Sequence, residues 1–167
     1  SSSGSAAAVA ASYAPVSVGV ETDGSVICPA SACGVVGIKP TVGLASRSGA
    51  IGNGYTMDSP GVMGRSVADA AALLSVIAGL DSEDVAFGEH ADLFPAGREY
   101  AALVHPTGVR DYTRAIVDGG LEGVRIGVVR AYWGSDSEAN RHAENALLAM
   151  QDAGAELAGG LCDELLD

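Results

Sequence analysis

Apolar and polar positions divide the chain into short elements separated by glycine-bearing turns. Residues 5–14 (SAAAVAASYA) predict a small-residue helix, because alanine loses no side-chain entropy there. Residues 16–20 (VSVGV) have strand character, followed by a polar turn at residues 21–25 and a short helix opening near Pro29. Residues 35–39 (VVGIK) predict a second short, buried strand stopped by Pro40. Residues 41–65 carry six glycines and read as loop. A helix is predicted over residues 67–78, with Ser66 as its cap, Asp69 in capping-box position and Gly79 to close it. Residues 80–118 are acidic and irregular, with a short helix near Tyr112 to Val117. Residues 124–129 (VRIGVV) predict a buried strand, and residues 138–153 a helix capped by Ser135 and Glu138 and stopped by Gly154. Ala155-Glu156-Leu157 then opens the return strand of a βαβ unit. The fold class is α/β, a mixed sheet flanked by helices.

Composition narrows the function classes. The chain has 167 residues and a formal net charge of -12, which opposes a nucleic-acid footprint or docking on anionic lipid. Hydrophobic residues are 48% and charged residues 18%, a balance that supports a packed core rather than a disordered tail. No run reaches the roughly 18 apolar residues of a membrane helix. Cys28, Cys33 and Cys162 read as buried or free thiols of a reducing, cytoplasmic compartment. Cys28 and Cys33 lack a second pair and a nearby histidine, which argues against zinc. His90, His105 and His142 form no Ser/His/Asp pattern, and His142 sits on a polar helix face. Met57 and Met63 read as core filler, and the acidic run from Asp81 to Glu89 as a solvated loop. No Gly-x-Ser-x-Gly elbow and no spaced dinucleotide glycines occur. The sequence opens inside a serine motif without an initiating methionine, the expected look of a processed chain or a piece of a longer one.

Candidate chemistry lies near the start. Acyl transfer needs a nucleophile, a route for its proton and donors aimed at the developing oxyanion. Thr22-Asp23-Gly24-Ser25 follows a strand and precedes a helix, where several backbone N–H groups can face one concavity. Gly24 lets a substrate approach the backbone, and Asp23 contributes only its backbone, its side chain turned away.

Together with Ser1-Ser2-Ser3-Gly4-Ser5, Gly37-Ile38-Lys39-Pro40-Thr41, Ser46-Arg47-Ser48-Gly49, Asp58 and Gly61-Val62-Met63, this turn resembles the amidase signature enzymes. Ser1 and Ser25 have the 24-residue separation of that family's two functional serines. The Glu21-Thr22-Asp23-Gly24-Ser25 form is most similar to the peptide-amidase-like branch. The resemblance implies an amide hydrolase working through an acyl-serine, with a small-molecule amide as substrate. It implies no metal or organic cofactor and is compatible with a homodimer, while the net charge of -12 points to no nucleic-acid and no membrane partner. Ser25 is the implied nucleophile and Ser1 the bridging serine that the family holds on a cis peptide. Ser2 is the implied supporting hydrogen-bonder, and the amides of Thr22, Asp23, Gly24 and Ser25 the oxyanion hole. The family's third triad member is a neutral lysine upstream of the bridging serine. Lys39, the only lysine here, matches the structural Lys-Pro-Thr segment instead. The chain is therefore expected to be one partial amidase signature domain over residues 1–167, inactive by itself, its lysine-bearing and C-terminal parts lying elsewhere. Two alternatives stand beside this: an inactive binding or structural module, and an N-terminal-nucleophile hydrolase using Ser1. Gly61-Val62-Met63 replaces the usual Gly-Pro-Met, and residues 51–56 (IGNGYT) border the implied substrate pocket.

Overall fold

A computed structural model describes residues 1–79, 81, 83, 84 and 111–159. His90, His105, Cys162 and most of the acidic run lie outside the described residues. The chain divides into two compact units, Ser1–Arg114 and Ala115–Asp167.

In the first unit the order is α1 (Ser3–Ala10), β1 (Val16–Glu21), α2 (Ile27–Cys33), β2 (Val36–Ile38), β3 (Ser59–Gly64) and α3 (Val67–Ile77). The three strands form an antiparallel sheet in the order β1-β3-β2. The central strand β3 lies in the stretch that reads as loop. Pro60, Gly61 and Gly64 erase any β-branched alternation there, and a proline in a central strand runs against the usual preference. Packing overrides local preference: all six residues of β3 are buried. Val62 joins Leu44, Ala70 and Leu74 in one cluster, whereas Met63 joins Ala6, Val9 and Val26 in another. Successive side chains thus point to opposite faces, one covered by α3 and the other by α1 and α2. A Cβ at Gly61 would stand 2.7 Å from the Ile38 carbonyl oxygen, so the backbones approach too closely for a side chain.

The helices depart from expectation mainly at their ends. α1 stops at Ala10 because Ser12 adopts φ 62°, which a continuing helix cannot accommodate. α3 starts as predicted: the Asp69 N–H donates to Ser66 Oγ at 3.1 Å, and the Ser66 hydroxyl donates to the Asp69 carboxylate at 2.8 Å. Its end does not use a left-handed glycine. Ala78 is extended at φ -70°, and the Gly79 N–H donates to the Leu44 carbonyl at 3.0 Å instead. A short 3-10 turn spans Tyr112–Ala115, where a helix to Val117 is predicted. Met63 is fully buried, but Met57 is 46% exposed and fills no core.

The second unit holds β4 (Arg125–Val128), α4 (Ser137–Asp152) and β5 (Glu156–Gly159). The two strands pair in parallel, completing the predicted βαβ unit. β4 alternates exposed and half-buried positions and is not the buried strand its sequence suggests. Asp136, not Ser135, caps α4, its carboxylate accepting from Glu138 N–H and Ala139 N–H at 2.9 and 3.0 Å. Gly154 at φ 95° follows the helix end as predicted. His142 is solvated. No described helix is long and apolar enough to cross a membrane.

Candidate active site

The serine-rich opening lies along β1. Ser2 and Ser5 stand three residues apart at the start of α1, and both hydroxyls reach β1. Ser5 Oγ donates to the Val18 carbonyl at 2.9 Å. Ser2 Oγ accepts the Val20 N–H at 3.1 Å and lies 3.3 Å from the Val20 carbonyl, to which it donates. These bonds occupy strand groups that β3 leaves unpaired, which gives the serines a structural reason to be there. Gly19 makes the approach feasible, since a Cβ there would meet Ser2 Oγ at 2.5 Å. The Ser2 N–H then donates to the Ser25 carbonyl at 2.9 Å, bringing the main chain beside Ser1 against the Gly24-Ser25 turn. All peptide bonds of the described residues are trans.

Two carboxylates shape that turn from opposite ends. Glu21, only 7% exposed, accepts Val26 N–H at 2.7 Å and Ile27 N–H at 2.9 Å. Burial works against its charge. The N–H donors of Ile27, Val26 and Gly24, with the positive field of Lys39, outweigh that and hold its pKa below the usual value. Gly24 has φ 79°, a left-handed conformation that a side chain would strain. At the other end, Asp58, 4% exposed, accepts the Thr22 hydroxyl at 2.6 Å and the Asn53 and Gly54 N–H groups at 2.7 and 2.8 Å. Burial again opposes its charge, and these donors with the Arg47 guanidinium keep its pKa low.

Behind Asp58 stands a buried ion pair. Arg47 Nη2 lies 2.7 Å from Asp84 Oδ1, and Arg47 Nε and its main-chain N–H also donate to the Asp84 carboxylate. Arg47 Nη1 donates to the Tyr55 carbonyl. Asp84 is 1% exposed, so this part of the acidic run is structural and not solvated. A concavity of about 500 Å³ is bounded by Val20, Arg47, Ile51, Gly52, Tyr55 and Asp58 among others. Its described lining includes neither Ser1 nor Ser25; Val20 and Asp58 link it to the turn. Cys28, on α2 just past the Gly24-Ser25 turn, is exposed where burial is expected, and Cys33 is half-buried. No cluster of three metal-ligating side chains occurs among the described residues.

Sequence reasoning singled out Ser1, Ser2, Thr22, Asp23, Gly24 and Ser25. Glu21 carried no assigned role, and neither did the pairing of Arg47 with Asp84. An acid at the end of a strand, opening the run that leads into Gly24-Ser25, was the available signal for Glu21. The partner of Asp84 is 37 residues distant and leaves no local trace.

Known proteins share this arrangement of elements. The chain is 40% identical over 159 residues to a component of the glutamyl-tRNA(Gln) amidotransferase of Clostridium botulinum, covering 94% of this chain and 29% of that protein. The crystal structure of peptide amidase from Stenotrophomonas maltophilia superposes with a TM-score of 0.76 at 44% identity, covering 96% of this chain and 30% of that one. A 6-aminohexanoate cyclic dimer hydrolase superposes with a TM-score of 0.75 at 31% identity, over 100% of this chain and 32% of that one. The chain thus spans about a third or less of the length of these relatives. The Amidase family pattern fits residues 1–162. With a match over nearly every residue, and the serine segment folded against the Gly-Ser turn, the chain belongs to the amidase signature family.

Proposed function

We propose that the protein carrying this chain hydrolyses a small-molecule carboxamide to a carboxylate and ammonia or an amine. Residues 1–167 form part of its single catalytic domain, of the peptide-amidase-like branch. Ser25 Oγ attacks the amide carbon while its proton passes through the Ser1 hydroxyl to a base. That base is a lysine from outside these residues, since Lys39 matches the family's structural Lys-Pro-Thr segment. The amide oxygen becomes an oxyanion held by main-chain N–H groups of Thr22, Asp23, Gly24 and Ser25. The proton returns to the nitrogen as the C–N bond breaks. Water then attacks the acyl-Ser25, restoring the hydroxyl and releasing the acid. Ser2 supports the relay by anchoring its own segment to Val20. A single oxyanion donor is worth about 2.7–4 kcal/mol of barrier, so the rigidity of the turn matters as much as the nucleophile.

The observation that carries this reading is the 2.9 Å bond from Ser2 N–H to the Ser25 carbonyl, which ties the two serine segments together. The test is labelling of the intact protein with a fluorophosphonate probe, mapped by peptide mass spectrometry. The adduct is expected on Ser25, with Ser25→Ala unlabelled and unable to hydrolyse a panel of carboxamides. Absence of label in folded protein would favour an inactive module. Label on Ser1 that disappears when the α-amino group is acetylated would favour the N-terminal nucleophile.

A further inference from the structure

Two turns far apart in sequence meet at one carboxylate. Thr22 opens the nucleophile turn, and Asn53-Gly54 form part of the wall segment beside the 500 Å³ concavity. Asp58 Oδ1 takes the Thr22 hydroxyl at 2.6 Å, while Oδ2 takes the Asn53 and Gly54 N–H groups. Asn53 Nδ2 closes the ring by donating to Thr22 Oγ1 at 3.1 Å. The Thr22 hydroxyl therefore accepts from one turn and donates to the acid that organises that same turn. A second observation is steric. A Cβ at Gly54 would stand 3.3 Å from Thr22 Cγ2, tighter than ordinary packing, so the two turns are in contact as well as bonded.

We propose that Asp58 is a positioning residue for the oxyanion turn, acting through the Thr22 side chain and locking that turn to the substrate-side wall. This inference rests on the reading of Ser25 as acyl nucleophile. Its physical basis is that main-chain donors stabilise an oxyanion only when held at hydrogen-bond distance before charge develops. Thr22 begins the donor run, and its orientation follows the side chain that anchors it. The concavity also touches Asp58, so a ligand seated there bears on the anchor directly.

The experiment measures fluorophosphonate inactivation of the intact protein, separating the limiting rate from the half-saturating concentration. Thr22→Val removes the hydroxyl and keeps the shape; Asp58→Ala removes the acid; Asp58→Asn keeps one carbonyl acceptor for the wall amides and offers an N–H to Thr22 Oγ1. Thr22→Val and Asp58→Ala are each expected to lower the limiting rate about 10- to 100-fold with little change in half-saturation, the scale of a small misplacement. The double variant is expected to be no slower than the slower single variant, because both remove one connection. Asp58→Asn is expected to restore most of the rate. Should Asp58→Ala not fold, Thr22→Val decides. A limiting rate within twofold of the parent in folded Thr22→Val, with Ser25 still the labelled residue, overturns the proposal alone. A change confined to half-saturation also overturns it, assigning Asp58 to the pocket wall only. Labelling that persists in Ser25→Ala overturns the nucleophile reading and this inference with it.

Discussion

Replacing Gly19 by alanine tests how the serine segment is held. The new Cβ would lie 2.5 Å from Ser2 Oγ, 2.6 Å from Ser2 Cβ and 3.2 Å from Met63 Cε. Carbon atoms pack best at about 3.5–4.0 Å, so Ser2 must retreat by about 1 Å. Met63 can yield through its flexible side chain, but Ser2 sits on main chain that is bonded at both ends. The retreat stretches the two contacts with Val20 and the 2.9 Å bond to the Ser25 carbonyl. Overpacking of this kind costs about 1–3 kcal/mol of stability. A catalytic misplacement of about 1 Å costs about 10²-fold in rate, so activity is expected to fall further than stability. The assay is the second-order rate of fluorophosphonate labelling at Ser25 beside the thermal midpoint of the same preparation. Adding Ser2→Gly to Gly19→Ala removes both clashing atoms. The pair is expected to regain the packing loss but not the lost hydrogen bonds, leaving labelling slow and the midpoint partly recovered. Labelling within twofold of the parent in the single variant, at an unchanged midpoint, would refute the claim that Gly19 sets the position of Ser2.

Arg47→Ala takes the guanidinium away from the buried Asp84 carboxylate, and the loss expected in denaturant unfolding is about 3–5 kcal/mol. Glu21 and Asp58 have folded pKa values below their ordinary 4.5 and 3.8, so their contribution is complete above those values and is lost as pH falls through the lower folded ones. Glu21→Gln is therefore expected to reduce stability at neutral pH and to flatten the acid limb of a stability-versus-pH curve beginning near pH 4.5, read from thermal melts. Asp136→Ala is expected to lower the thermal midpoint through loss of the α4 cap, whereas Ser135→Ala is expected to be neutral.

What the sequence made legible follows the range of the forces involved. α3 and α4 announce themselves through apolar spacing and nearby polar starts, and the βαβ unit follows from element order. The cap of α4 was missed by one residue because Ser135 and Asp136 are equally good candidates and only geometry separates them. β3 was invisible because its strand state is imposed by β1 and β2, not by Pro60, Gly61 or Gly64. The serines were legible through motif spacing. The anchors were less so: Asp58 stood out as a motif match, yet its bond to Thr22 spans 36 residues. The buried state of Asp84 contradicts its acidic neighbourhood, and its pairing with Arg47 is a contact the local sequence does not show.

The position of β3 also bears on how the nascent polypeptide matures. β1 finds its partner only when Ser59–Gly64 arrives, since Glu21 pairs with Ser59 and Val16 with Gly64. Until the ribosome has released that stretch, the residues preceding Ser25 have no sheet to belong to. Closing so long a span is slow compared with forming a helix. The Gly24-Ser25 turn thus takes its place late in biogenesis, and a stalled product ending before residue 59 would carry every serine of the motif without the scaffold that orients them.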